Sequence, residues 1–202
     1  MIDYIATFIF FFAIIDPIGT VPVFIAITRD YDEKTKRKIA LVGTLVSMGI
    51  LLFFVIVGEI ILNAMSVPLP AFQIAGGIVL FMFALSMIFG ESKPEEEVKL
   101  VKDHNETAIF PLAVPSIAGP GAMLAAVLMT ENSRFNILEQ TQTAGVMLLV
   151  LAITYVFMLS AGWIDKIIGR SGASIISRVM GLILSAVAVT NTLAGIKTYF
   201  ML

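Results

Sequence analysis

Long apolar stretches are the feature of this sequence that most restricts its fold. A helix that crosses a bilayer needs about 20 consecutive, mostly apolar residues. The sequence contains six such stretches, at 4–27, 39–63, 69–90, 108–130, 141–163 and 174–200. Hydrophobic residues make up 58% of the chain and the mean hydropathy is +0.98, which excludes an ordinary soluble domain. The sequence therefore predicts an all-α membrane protein with six transmembrane helices.

Two of the six predicted helices contain proline and glycine near their centres. Helix 1 contains Asp-Pro-Ile-Gly at Asp16–Gly19, and helix 4 contains Gly119–Gly121 after Pro111 and Pro115. Asp or Gly before Pro is typical of a helix N-cap and its first residue, because proline has no N–H to leave unsatisfied. At about 1.5 Å per residue, Asp16 lies about 20 Å from the start of helix 1. We therefore expect helices 1 and 4 to be broken near mid-membrane.

The basic residues predict the orientation of the chain and a division into two halves. They cluster after helices 1, 3 and 5, so the positive-inside rule places these loops in the cytoplasm and both termini outside. We expect a first three-helix repeat at 1–90, a cytoplasmic connector at 91–107 and a second repeat at 108–202. Three crossings per repeat require the second repeat to be inverted. Gly76-Gly77 in helix 3 and Gly181 in helix 6 lie in similar apolar surroundings, which supports the repeat. The predicted location is the cell membrane.

The broken helices also indicate a binding site. Half-helix N-termini offer unpaired N–H groups that suit a carboxylate, whereas the Asp16 side chain suits an ammonium group or a proton. A zwitterion matches both groups, and the glycines leave room for only a small side chain. The predicted substrate-binding residues are Asp16, Gly19, Thr20, Gly76, Ser116, Gly119, Gly121 and Asn191.

Two acidic residues are candidates for proton coupling. These are Asp16 and Glu59, which lies about one turn from the outer end of helix 2. Each has a simpler alternative. Asp16 is also suited to capping the second half-helix, and the Glu59 side chain is also suited to reaching the membrane interface.

Several functions and partners are not expected from this sequence. It has no cysteine, and neither His-Glu-x-x-His nor Gly-x-Ser-x-Gly occurs in it. We expect no enzymatic activity, no cofactor and no metal site. The formal net charge of −2 argues against a nucleic-acid partner. The expected partners are the lipid bilayer, a small solute and a coupling ion, and the sequence leaves monomer, trimer and tetramer open.

The motifs of this chain resemble those of the MarC family. The similarity lies in Asp16–Gly19 with Val21-Pro22, in Gly76-Gly77, in 111–121 and in 178–183, and it extends over essentially the whole chain. The family includes archaeal neutral amino acid transporters of the SnatA group. The resemblance implies six helices, transport of glycine or alanine, and coupling to protons or sodium. Family members often carry Asn at the position of Thr20, so an amide contact is not expected here.

The sequence thus predicts a secondary transporter of small neutral amino acids, with proton coupling. Two alternatives stay open. One is an exporter of other small metabolites or drugs, and the other is an ion or water channel, which would conduct without saturating. The direction of transport also stays open, because alternating access at one site runs either way according to the gradients.

Overall fold

The computed structural model describes residues 2–89, 108–132 and 134–201. All regular structure in these residues is helical. The predicted connector at 91–107 lies outside the described residues. In chain order the helices are α1 (Tyr4–Ile15), α2 (Pro17–Ile27), α3 (Glu33–Ala64), α4 (Leu69–Phe89), α5 (Pro120–Leu128), α6 (Ile137–Leu159) and α7 (Ala161–Phe200). A coiled stretch that contains two prolines precedes α5 at Ala108–Ile117, and we call it the proline segment.

Five stretches of the described residues are long and apolar enough to cross a membrane. These are Tyr4–Ile27, which combines α1 and α2, the helices α3, α4 and α6, and Ser171–Phe200 within α7. The proline segment and α5 meet at 55° and make a sixth crossing if the pair is one span. The predicted all-α membrane fold is therefore confirmed in these residues, with five or six crossings.

Both predicted helix breaks are present. Asp16 adopts a left-handed conformation, with φ 50° and ψ 67°, and it separates α1 from α2. The proline segment is a wide coil that is extended at Phe110 and Val114, and the Ala118 N–H donates to the Ala113 carbonyl at 2.8 Å, five residues earlier. Prolines stop a regular helix here because they lack the N–H donor.

The boundary between the last two helices differs from the prediction. The sequence predicts helix 5 at 141–163, but α6 ends at Leu159, and Trp163 belongs to α7. Gly169, with φ 63° and ψ 174°, divides α7 into a short first part and the long span. The apolar run continues through the end of α6, so hydropathy alone does not reveal this boundary.

The long helices α4 and α7 pack antiparallel through small residues, a contact that we call the α4–α7 seam. A Cβ atom on Gly77 would lie 2.9 Å from the Ala188 carbonyl oxygen. One on Gly181 would lie 3.0 Å from the carbonyl oxygen of Ala84. Because glycine has no side chain, the two backbones approach closely, as is common in membrane helix pairs. The seam holds the α7 span against the rest of the bundle.

Candidate functional site

The Asp16 side chain lies at the break in helix 1 and is 1% exposed. Its Oδ1 atom accepts a hydrogen bond from the Gly19 N–H at 3.0 Å, which caps the N-terminus of α2. Its Oδ2 atom accepts a hydrogen bond from the Ser177 hydroxyl at 2.6 Å. The carboxylate therefore both shapes the break and connects it to α7, which lies far away in the sequence.

Gly19 makes room for this arrangement. A Cβ atom at this position would overlap Asp16 Oδ2 and would lie 2.7 Å from Ser177 Oγ. Thr20 is completely buried, and its hydroxyl donates to the Asp16 carbonyl oxygen at 3.0 Å. Both predicted residues thus lie next to Asp16, where Gly19 supplies space and Thr20 supports the first turn of α2.

No basic side chain in the described residues forms an ion pair with Asp16. Arg178 follows Ser177 in the sequence, but its side chain is exposed. A carboxylate has about four lone-pair positions, and the two hydrogen bonds occupy two of them. A buried, unpaired carboxylate of this kind is costly and suits a proton or a cationic ligand group. The described residues contain no group of three or more His, Cys, Asp or Glu side chains that could hold a metal ion.

The second break differs chemically from the first. Gly119 is the N-cap of α5, and it provides no side chain to accept a hydrogen bond from the first α5 amides. Since Pro120 has no N–H, the first amides of α5 belong to Gly121 and Ala122, which are both buried. The Ser116 side chain is also buried, and its Oγ atom has no hydrogen-bond partner in the described part of the chain. This break therefore offers buried donors without a carboxylate of its own.

The two breaks are neighbours in the bundle. A Cβ atom on Gly121 would lie 3.8 Å from Ile14 Cγ2, two residues before Asp16. It would also lie 3.5 Å from both Leu80 and Phe83 of α4. The start of α5 thus packs against the end of α1. The structure brings together six predicted residues at the two adjacent breaks: Asp16, Gly19 and Thr20 at the first, and Ser116, Gly119 and Gly121 at the second.

Two other predicted binding residues lie elsewhere. A Cβ atom on Gly76 would lie 2.6 Å from Leu124 Cδ1, so this glycine serves the packing of α4 on α5. Asn191 is half-buried on α7, about 21 Å along the helix from Ser177 at a rise of about 1.5 Å per residue. The sequence suggested Asn191 as a site residue only because it is polar and lies in helix 6. The distance along α7 places it far from Ser177 and the first break.

Glu59 also lies away from Asp16. Its Oε2 atom accepts a hydrogen bond from the Asn132 N–H at 2.7 Å, which connects α3 to the segment before α6. The neighbouring Gly58 faces Val127, near the end of α5. Val127 lies about 9 Å along α5 from Gly121, at the usual rise per residue. Glu59 thus lies near the far end of α5, and its hydrogen bond holds the segment between α5 and α6 against α3.

Ser177 and Ala122 are site residues that the sequence reasoning missed. Ser177 lies in a stretch with several small and hydroxyl residues, so its type alone does not single it out. The spacing of the residues does carry a signal, since Ser177 falls on the same helical face as the small residues Gly181 and Ala188. The structure buries all three. The backbone amide of Ala122 could be predicted only from its position shortly after Gly119-Pro120, because a backbone group does not depend on residue type.

Spanning helices with two adjacent interruptions around a buried carboxylate define a multi-pass integral membrane protein with an internal polar site. The family described as MarC family integral membrane protein matches residues 1–200. The chain therefore belongs to the MarC family, as its motifs predicted.

Relatives from archaea and bacteria cover nearly the whole chain. A UPF0056 membrane protein of Methanocaldococcus jannaschii is 39% identical over 198 residues, with 96% of each chain covered. The UPF0056 membrane protein YvbG of Bacillus subtilis is 31% identical over 198 residues, covering 96% of this chain and 93% of its own. One from Aquifex aeolicus is 31% identical over 200 residues, covering 96% and 92% respectively. No solved structure matches the chain.

Proposed function

We propose that this protein is a secondary transporter of small neutral amino acids, such as glycine and alanine. The observation that carries the proposal is the chemical difference between the two adjacent breaks. Among the residues that the structure describes, one break contains a buried carboxylate without a cationic partner, and the other contains buried donors without an acceptor. A zwitterion supplies the group that each break lacks. A membrane transport role is consistent with the family and with the apolar spanning helices.

The carboxylate of the substrate binds at the start of α5. The amides of Gly121 and Ala122, together with the hydroxyl of Ser116, are donors in a buried position. Helix N-termini attract anions through their free N–H groups and the helix dipole. At the start of α2 the protein supplies its own carboxylate, because Asp16 accepts a hydrogen bond from the Gly19 N–H. The substrate carboxylate thus does for α5 what Asp16 does for α2.

The ammonium group of the substrate binds to Asp16, at the lone pairs that Gly19 and Ser177 leave free. Leu80, Phe83 and Ile14 surround the position of a Cβ atom on Gly121 at 3.5 to 3.8 Å. This close apolar wall favours a substrate whose side chain is absent or no larger than a methyl group. Larger amino acids would need these side chains to move.

Transport requires the helices around the site to rearrange, because Asp16 is 1% exposed and Ser116 is 2% exposed. We propose alternating access between two inverted three-helix repeats. The α4–α7 seam supports this arrangement: Gly77 faces Ala188 and Gly181 faces Ala84. Gly181 and Ala188 follow Gly77 and Ala84 at the same separation along the chain, so exchanging the two repeats exchanges the two contacts.

A proton is the proposed coupling ion, and Asp16 is its proposed carrier. Asp16 is a buried acidic residue inside a spanning stretch, and ionisable side chains in such positions mark proton and ion pathways in membrane proteins. Glu59 is the weaker candidate, since its hydrogen bond to the Asn132 amide gives it a structural role.

The proposal is tested by uptake of labelled glycine and alanine into proteoliposomes, with and without an imposed pH gradient. We expect saturable, gradient-driven uptake and exchange of internal for external substrate. The Asp16→Asn variant should lose gradient-driven accumulation. Asparagine caps helices about as well as aspartate and tolerates the left-handed conformation, so the break itself should persist.

Asp32→Asn is the matched control. Asp32 is also an N-cap aspartate, at the start of α3, but it is exposed. The hydrogen bond from the Thr35 hydroxyl lowers the pKa of Asp32, so this control also removes a full negative charge. Normal uptake is expected for Asp32→Asn. Equal accumulation in the Asp16→Asn variant and the parent would remove Asp16 from the mechanism, and no uptake of either amino acid would refute the substrate.

The same assay separates a carrier from a channel. A channel conducts in proportion to the gradient and shows no exchange, whereas a carrier saturates. Flux of glycine or ions that does not saturate would therefore favour the channel. Saturable uptake of other solutes, with glycine ineffective as a competitor, would favour an exporter of other metabolites.

A further inference from the structure

A cavity lies at one end of the helix bundle, and we call it the basic cleft. It has a volume of about 440 Å³ and lies where α2 and α6 end and where α3 and α7 begin. Its walls share no residue with the two helix breaks. The cleft therefore requires an explanation of its own, independent of any transported solute.

The charged side chains of the cleft leave an excess of positive charge. Arg29, Lys36 and Arg37 line it, together with the acidic residues Glu33 and Asp165. Lys36 is paired with Glu33 at 3.0 Å. Neither arginine forms an ion pair with a residue that the structure describes, and a single carboxylate, that of Asp165, remains to oppose the two of them. Two guanidinium groups in one cleft suit a phosphate group, which arginine binds through paired hydrogen bonds.

The rim of the cleft is apolar and faces outward. Trp163 lines the cleft and is 69% exposed, and Ile167, one turn later on the same helix, is 62% exposed. Tryptophan is typical of the boundary between lipid chains and headgroups. A cleft that is lined by two solvent-exposed arginines and has such residues at its edge fits a molecule with a phosphate head and an apolar tail.

We infer that the basic cleft binds the headgroup of a negatively charged phospholipid. The headgroup phosphate contacts Arg29 and Arg37, and the acyl chains lie along Trp163 and Ile167. A cleft of this volume accommodates a glycerol phosphate headgroup. The bound lipid would hold the start of α7 against the turn between α2 and α3, at the end of the bundle where basic residues concentrate.

The experiment uses the tryptophan of the protein itself as the reporter. The chain has one tryptophan, Trp163, so its fluorescence reports on this cleft alone. The full chain is reconstituted in vesicles of phosphatidylcholine and phosphatidylglycerol, with a quencher attached to the acyl chains of one lipid or the other. We expect stronger quenching by labelled phosphatidylglycerol than by labelled phosphatidylcholine at equal mole fraction.

The arginines are tested by Arg29→Gln and Arg37→Gln, singly and combined. Each change should weaken the preference for phosphatidylglycerol about fivefold, the equivalent of ~1 kcal/mol for a basic residue near a charged membrane. The control is the combined variant Lys34→Gln and Lys38→Gln. It removes the same charge from exposed residues of the same helix end that do not line the cleft.

Three outcomes would overturn the inference. The first is equal quenching by the two lipids in the parent protein. The second is an equal loss of preference in the lysine control, which would indicate attraction by general surface charge. The third is displacement of labelled phosphatidylglycerol by soluble glycerol phosphate at matched concentration, which would make a free phosphate compound the ligand. None of these outcomes depends on whether the protein carries amino acids.

Discussion

At the scale of single residues, Asp16 combines structural and chemical roles. Its backbone ends α1, its side chain caps α2, and its second carboxylate oxygen accepts from Ser177. Aspartate tolerates the left-handed conformation better than most residues, which suits it to this position. The same carboxylate is the only charge at the two breaks among the described residues. Asparagine keeps the backbone conformation and the cap while it removes the charge, whereas other substitutions at Asp16 alter both the fold and the chemistry. Neighbouring residues provide a second, independent probe.

Ser177→Ala tests the contact between Asp16 and α7. Removing the hydroxyl should lower the free energy of unfolding by about 1–3 kcal/mol, because the variant leaves a buried carboxylate with one donor fewer. If Asp16 binds the substrate amine, the KM for glycine should also rise about tenfold, whereas inhibition by propionate, which lacks the amine, should not change. Thermal unfolding in detergent and uptake kinetics measure the two effects.

Ser185→Ala is the control for this prediction, because Ser185 lies on the same helix, is only half-buried and donates to the Leu182 carbonyl of its own helix. We expect its unfolding free energy and its KM to stay near the parent values. A Ser177→Thr variant should restore part of the lost affinity for glycine. Identical losses for the alanine variants of Ser177 and Ser185 would contradict a special role for Ser177.

At the scale of elements, glycines determine how closely the helices pack and where they bend. On the α4–α7 seam they bring backbone against backbone, as at Gly181 and the carbonyl of Ala84. At Gly169 a positive φ of 63° lets α7 change direction. Gly145 and Gly162 have no such role, since a Cβ atom on either would have no neighbour within 4 Å. We therefore expect substitutions at Gly181 and Gly169 to destabilise the protein, and the same substitutions at Gly145 and Gly162 to have little effect.

Gly181→Leu should separate α4 from α7. A Cβ atom there would already lie 3.0 Å from Ala84, Met87 and Ile88, so the longer side chain has no space. Overpacking of this kind typically costs about 1–3 kcal/mol. Denaturant unfolding in mixed micelles measures it. Gly145→Leu makes the same change at an exposed, open position and should have little effect, so similar destabilisation by both would show that the seam is not tightly packed.

Gly169→Ala should destabilise the bend in α7. The combination of φ 63° and ψ 174° is adopted almost exclusively by glycine, and a side chain there costs about 1–3 kcal/mol. We expect a lower unfolding temperature in detergent. Gly162→Ala, in the short part of α7 that precedes the bend, is the control and should be neutral or slightly stabilising. Equal stability of the two variants would mean that α7 does not need this bend.

At the scale of the whole molecule, the bundle has a basic end and an opposite end. Arg37 and Asp165 line the same cleft, together with Leu159 at the end of α6. Leu138, near the start of α6, is about 32 Å from Leu159 at the usual helical rise. By the positive-inside rule, the end with the basic cleft should face the cytoplasm. This orientation places both termini outside the cell.

Single cysteines test that orientation, because the natural sequence contains none. Lys38→Cys and Lys166→Cys should be protected from a membrane-impermeant thiol reagent in intact cells, whereas Leu138→Cys should react. All three side chains are exposed in the bundle, so burial in the protein does not interfere. Permeabilised cells provide the control, in which all three should react. Labelling of Lys38→Cys in intact cells would reverse the predicted orientation.

Much of this architecture could be predicted from local sequence. Apolar stretches give the spanning helices because a helix that crosses the bilayer needs about 20 consecutive apolar residues, which is a local property of the chain. Asp16-Pro17 and Gly119-Pro120 give the breaks because proline excludes a regular helix at its own position. The roles of Gly76, Asn191 and Glu59 could not be predicted, because each depends on the neighbour that faces it.

Local sequence patterns were enough to identify a helical membrane protein of the MarC family, with interruptions at two defined positions. Which side chains meet at those interruptions depends on the packing of distant helices. This packing brings Ser177 to Asp16, fills the space at Gly76 with Leu124, and buries the first amides of α5 behind an N-cap glycine that has no side chain to accept from them. The reason is physical: hydropathy and backbone preference are properties of neighbouring residues, whereas contacts between distant helices depend on how the whole bundle packs.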